Sequence, residues 1–215
     1  MSEAAELLGF LSVVEHVKFG LIGGYLVLNK AGRPVEFHCT TPVRTTRPQE
    51  ILYGDSLAPF IYGEQIGQTL VGKSRSETAL VFTNAIPVLA LQEFTDKPVI
   101  YVTLSPKKTD AATNNAANNR ETLPLLSYEN DNGNNSGNKT NNESLVSVRL
   151  HNIPGLCVDN WEEIEIGHKL LALPGHLKIT REQQREKLTV LMKTLDFLEP
   201  FERIRLALEE TQRAA

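Results

Sequence analysis

Between Thr109 and Ser144 the chain carries eleven asparagines, eight of them in the pairs Asn114-Asn115, Asn118-Asn119, Asn134-Asn135 and Asn141-Asn142. Large apolar side chains are few there. A stretch of this kind buries too little surface to offset the entropy lost on ordering it, so it predicts a disordered insertion. Any core must then be assembled from residues on both sides of it. This gives one α+β domain, 1–215, interrupted by an Asn-rich loop at 109–144. The apolar island Leu123-Pro124-Leu125-Leu126-Ser127-Tyr128 either docks locally or stays disordered, with a peptide motif for a partner as the other reading. Asn134-Asn135-Ser136, Asn138-Lys139-Thr140 and Asn142-Glu143-Ser144 match the glycosylation pattern, as any Asn/Ser/Thr-rich tract does by chance.

The remainder can build a core: 41% of the 215 residues are hydrophobic and 22% are charged. With 22 basic against 26 acidic side chains the net charge is −4, which argues against broad affinity for nucleic acid or an anionic membrane. Two cysteines, Cys39 and Cys157, form no disulfide framework and fit a reduced setting. The apolar stretch Leu7 to Val14 follows Glu3 and Glu6 rather than the basic residues of a secretory signal. The window from Thr78 to Gln92 is shorter than the roughly 20 apolar residues of a membrane span. These features predict a soluble cytoplasmic protein.

Ser2, Glu3 and Glu6 ahead of Leu7, Phe10, Leu11, Val14 and Val17 predict an N-terminal amphipathic helix. Phe19 to Leu28 and Val35 to Thr41 predict a hairpin through Asn29-Lys30-Ala31-Gly32, with Val35, Phe37 and Cys39 on its buried side. A second helix over Leu57 to Val71 follows a start at Asp55 or Ser56. Ala79 to Thr83 reads as a buried strand. Asn84 caps a short helix through Phe94, and Val99 to Leu104 is a strand. That order gives a parallel crossover, with a continuous hairpin as the competing reading. After the insertion come a strand over Leu145 to His151 and a hairpin around Gly167. Thr180 and Gln183 form a capping box for a helix carrying Leu188, Leu191, Leu195 and Leu198, and a last helix begins at Pro200. The fold expected is a mixed β-sheet with an N-terminal helix and two C-terminal helices.

Gly67-Gln68-Thr69-Leu70-Val71-Gly72-Lys73-Ser74 satisfies the phosphate-loop pattern G-x-x-x-x-G-K-[ST]. Gly67, Gly72, Lys73 and Ser74 are therefore candidate cofactor-binding residues. The context disagrees: the preceding residues read as helix, and the chain reaches the next strand within five residues of Ser74. Glu36 and His38 share the polar face of a strand and are the candidate catalytic pair, since a carboxylate can orient an imidazole base. Arg44 and Arg47, with Lys30 and Arg33, form a basic cluster able to hold an anion at a helix start. Neither CxxC nor HxxxH spacing occurs, so no metal site and no cofactor are expected. Aromatic residues do not alternate with basic ones along the chain, so no nucleic-acid platform is expected.

Without a triad or metal cluster, these features favour a non-catalytic interaction or scaffold module, self-associating or binding a protein partner. The alternative is a small nucleotide-binding protein or enzyme using segment 67–74 or the Glu36/His38 face.

Overall fold

A computed structural model describes residues 7–105, 161–175, 186, 188–192 and 195–213. The Asn-rich tract, the strand expected over 145–151, Cys157 and the Thr180/Gln183 capping box lie outside the described residues. The fold is α+β, built on one seven-stranded mixed sheet. Its strands are β1 (Leu7–His16), β2 (Gly20–Leu28), β3 (Pro34–Cys39), β4 (Thr78–Thr83), β5 (Val99–Leu104), β6 (Trp161–Ile166) and β7 (Lys169–Pro174). They lie in the order β3-β2-β1-β4-β5-β7-β6. β4 runs parallel to β1 and β5 parallel to β4, so the crossover is realised; the other neighbours are antiparallel. β5 precedes the Asn-rich tract and β7 follows it, and the two pair directly from Tyr101↔Ala172 to Leu104↔Lys169.

The expected N-terminal helix is corrected here: Leu7–His16 is a strand. It sits between β2 and β4 with a helical layer on each face, so both of its faces must be apolar. The resulting run Leu7-Leu8-Gly9-Phe10-Leu11 has no period that separates a buried strand from a buried helix.

After β3 the chain forms α1 (Arg47–Tyr53), capped by Thr46 in a reciprocal box with Gln49, so the helical region starts earlier than Asp55. A 3₁₀ turn (Gly54–Ser56) leads into a continuous rod, α2 (57–73). Its segments Leu57–Pro59, Phe60–Gln68 and Thr69–Lys73 are α, π and α in turn. Ile86–Phe94 is a 3₁₀ run with no side-chain cap from Asn84. The last helix, α3 (Glu199–Arg213), follows a helical stretch at 188–192.

Two cores lie on opposite sides of the sheet. On one, Leu8, Phe10, Phe82 and Ile100 meet Leu188, Leu191, Phe201 and Ile204. The Leu188/Leu191/Leu195 seam is thus spent on the sheet. On the other, Leu11, Tyr25, Val81 and Val99 meet Ile61, Ile66, Leu70 and Leu89. Both helical layers press closest at Gly23-Gly24 of β2. A Cβ on Gly23 would stand 2.2 Å from Ile66 Cγ2, and one on Gly24 2.5 Å from Ile204 Cγ2 on the opposite side. Among the described residues, no helix is long and apolar enough to cross a membrane.

Candidate functional site

Three polar features stand out, and they differ in what remains free to meet a ligand. The first unites both groups of sequence candidates. β3 pairs with β2 so that Glu36 lies opposite Val27 and His38 opposite Tyr25, on the side of α2. The predicted sidedness is therefore reversed: Val35, Phe37 and Cys39 are exposed, whereas Glu36 and His38 are half-buried. The Glu36 carboxylate accepts from Arg75 N at 3.0 Å, Ser76 N at 3.1 Å and Ser74 Oγ at 2.9 Å, and lies 2.5 Å from His38 Nε2. These donors, Arg75 N–H first, hold its pKa well below the usual carboxylate value. Such a carboxylate is saturated. Ser74 bonds to the same carboxylate rather than to His38, so among the described residues no hydroxyl is hydrogen-bonded to this imidazole. The arrangement ties edge strand β3 to the turn between α2 and β4.

The phosphate-loop match is helical. Gly67 is buried in the π segment, and Gly72 and Lys73 are exposed in the last turn of α2. Backbone N–H groups inside a helix are committed to its own carbonyls and cannot ring a phosphate.

The second feature lies at the carboxyl ends of β1 and β4, where the strand order turns from leftward to rightward growth. There buried Ser12 donates to Asn84 Oδ1 at 2.9 Å. The pair is neutral. Among the described residues, no group of three or more His, Cys, Asp or Glu side chains is placed to hold a metal ion.

The third is a cleft of about 640 Å³ at the same end of the sheet, on the α2 side. Ligands of open α/β sheets sit outside the carboxyl ends of the strands near such a reversal. Sequence reasoning missed this site because its walls lie far apart in the chain. The loop after β3 joins β2 there through a β-bridge, with Leu21 N donating to Val43 O at 2.8 Å and Val43 N to Leu21 O at 2.7 Å, and α2 packs against both. Gly20 permits the approach, with φ at +93° and a would-be Cβ only 2.4 Å from Val43 O.

Leu21, Val43, Leu57, Ala58 and Ile61 form an apolar floor, and Glu15, Lys18, Arg44 and Glu50 stand around it. Arg44, singled out in sequence with Arg47, belongs here. Its Nε donates to Phe19 O and its Nη2 to Lys18 O, which fixes the guanidinium plane. Arg47 is engaged by Glu50 one turn along α1, at 3.0 Å. Phe19 is open to solvent beside Lys18 and lies tilted against His16, with ring centroids 4.7 Å apart. Tyr53, next in the chain to the lining residue Gly54, is also open and stacks on Phe60 at 4.3 Å. Tyr62 lines the interior, and burial, with the Glu15 charge adding to it, pushes its phenol up to about 12. That phenol is therefore a neutral hydrogen-bond donor at any physiological pH. The π segment of α2 supplies Ile61 and Tyr62, and such segments recur at functional sites.

No family model matches the chain, and no curated protein does. Among solved structures it matches an endonuclease V variant from Ciona intestinalis in complex with a 23mer DNA containing an inosine followed by a ribo-adenosine. The likeness has 15% identity and a TM-score of 0.32, over 48% of this chain and 47% of that one. The chain thus spans about half the length of the matched structure. This finding corrects the expectation of a non-catalytic scaffold module without a nucleic-acid partner, because the matched protein is a nuclease holding DNA. At that TM-score it assigns neither activity nor ligand to this chain.

Proposed function

We propose that this chain binds a nucleotide unit of a single-stranded nucleic acid in the cleft between the β1–β2 turn and the α1–α2 region. The observation that carries the reading is the fixed Arg44 fork beside Lys18 above an apolar floor, with the exposed rings of Phe19 and Tyr53 adjoining the lining residues Lys18 and Gly54 in the chain. Single strands are held by this combination: cations meet the backbone phosphates and rings stack on bases. One nucleotide occupies the cleft, whose volume suits a compact organic ligand. Neighbouring bases stack on Phe19 and Tyr53. The formal charge of −4 does not oppose this, because the cations are concentrated locally.

The test is fluorescence anisotropy with a labelled twelve-nucleotide single strand at several salt concentrations. Saturable binding is expected, abolished by Leu57→Trp, which fills the cleft. Lys18→Ala should lower the slope of log affinity against log salt by about 0.7, the share of one phosphate contact on a single strand. No saturable binding up to millimolar strand, or binding indifferent to Leu57→Trp, refutes the reading. A cytoplasmic setting is part of the same proposal, supported by the free, exposed thiol of Cys39.

A further inference from the structure

Glu15 is the anomaly of the cleft. It shares the cleft with two cations that would draw in a phosphate, yet its carboxylate has no hydrogen-bond or ion-pair partner among the described residues. A half-buried carboxylate beside a polyanion is repulsive unless the ligand brings donors to it. Glu50 differs, since it accepts from the Thr45 hydroxyl and from Arg47.

The position of Glu15 says which part of a nucleotide would supply those donors. It lies on the α2 side of β1, on the same side as Val13 and Leu11, and it acts electrostatically on the Tyr62 phenol. Tyr62, Ile61 and Leu57 form the apolar wall, where a base would lie flat. Lys18 and Arg44, where the phosphate would lie, are on the β1–β2 turn and the loop after β3. A carboxylate on the base side meets the base edge rather than the backbone.

Resting on the nucleotide reading above, we infer that Glu15 is the specificity-determining residue of the cleft and selects guanine. An ionised carboxylate offers two acceptor oxygens and no donor. Among the four common bases, guanine alone presents two adjacent N–H donors, at N1 and N2, to one carboxylate. Adenine and cytosine each pair their amine with a ring acceptor that would face the second oxygen. Uracil sets its one N–H between two carbonyls.

The experiment is competition of guanosine, adenosine, cytidine and uridine 5′-monophosphates against the labelled single strand, for the wild type and for Glu15→Gln. The wild type should favour guanosine monophosphate by about 5- to 150-fold, the discrimination of one two-point base contact. Glu15→Gln, with its fold confirmed by a thermal melt, should lose the guanine preference and move it toward adenine or cytosine, whose amine and ring nitrogen match the acceptor and donor of the amide. Equal competition by all four with the wild type overturns the inference and leaves the cleft reading intact, provided Leu57→Trp still abolishes binding. A guanine preference that survives in Glu15→Gln overturns the assignment to this residue. If neither strand nor nucleotide binds, the cleft reading fails and the inference with it.

Discussion

Replacing Gly72 with Ala separates a helix from a phosphate loop by the sign of one number. Gly72 occupies the last turn of α2, is exposed, and is not among the glycines of positive φ in the described residues. A Cβ built on it meets nothing within 4 Å. The substitution therefore removes conformational freedom from the unfolded chain without strain in the folded one, a gain of about 0.5–1 kcal/mol. In a chain of this size that is a rise in Tm of about 1–4 °C. Gly63→Ala is the matched control. There the added Cβ would lie 2.8 Å from Leu91 N and 2.7 Å from Ala90 Cβ, and the backbone atom cannot swing aside. Overpacking of that kind costs about 1–3 kcal/mol, so the same chemical change should lower Tm by several degrees. Thermal melts and urea titrations followed by circular dichroism read both variants, and strand binding by Gly72→Ala should equal that of the wild type. A destabilised Gly72→Ala protein would refute the helical placement and restore segment 67–74 as a loop needing its glycines.

Three further outcomes follow from the packing and the hydrogen bonds. Glu36 has a folded pKa held below its ordinary value of 4.5, so its stabilising share is complete above that pH and is lost as pH falls below it. Between pH 6 and pH 3 the wild type should accordingly lose more Tm than Glu36→Gln, and equal losses would show that the Arg75/Ser76 contacts carry no linkage. Cys39 should react rapidly with a thiol reagent under native conditions, and Cys39→Ser should remove that phase; slow labelling would contradict its exposed face on β3. Tyr25→Phe leaves the buried Thr78 hydroxyl without its 3.0 Å partner and should cost about 1–3 kcal/mol in urea unfolding; a neutral result would mean that water replaces the phenol.

Some of this molecule is legible in its sequence, for physical reasons. Val99 to Leu104 and the pair around Gly167 follow local rules of strand composition and turn chemistry, and both are placed as expected. Leu7–His16 is not legible as a strand, because a central strand buried on both faces hides the alternation that marks one. On β3 the alternation was visible but its direction was not. Hydrophobicity puts Phe37 inside, whereas four hydrogen-bonding contacts to Glu36 draw the polar face inward and leave Phe37 at the sheet edge. The cleft was least legible. Glu15 and Tyr62 each look like ordinary surface residues, and they come together because α2 packs on β1 and β2 in the core while Leu21 bridges to Val43. Arg44 was noticed as a charge, but its fixed orientation depends on two carbonyls about 25 residues earlier in the chain.

The adjoining glycines of β2 have a consequence for how this sequence can drift. Elsewhere the two helical layers are insulated from each other by two sets of strand side chains. At Gly23-Gly24 only a sheet of backbone separates Ile66 from Ile204. Volume added on one side has no side chain to compress and must move the strand itself, which opens or closes space on the other. Substitutions at positions 66 and 204 are therefore expected to be non-additive although the residues never touch: a larger side chain at one is tolerated when the other shrinks. Variation at these two sites is free only in combination, which makes them a hidden coordinate along which relatives of this chain can change helix packing while keeping the sheet.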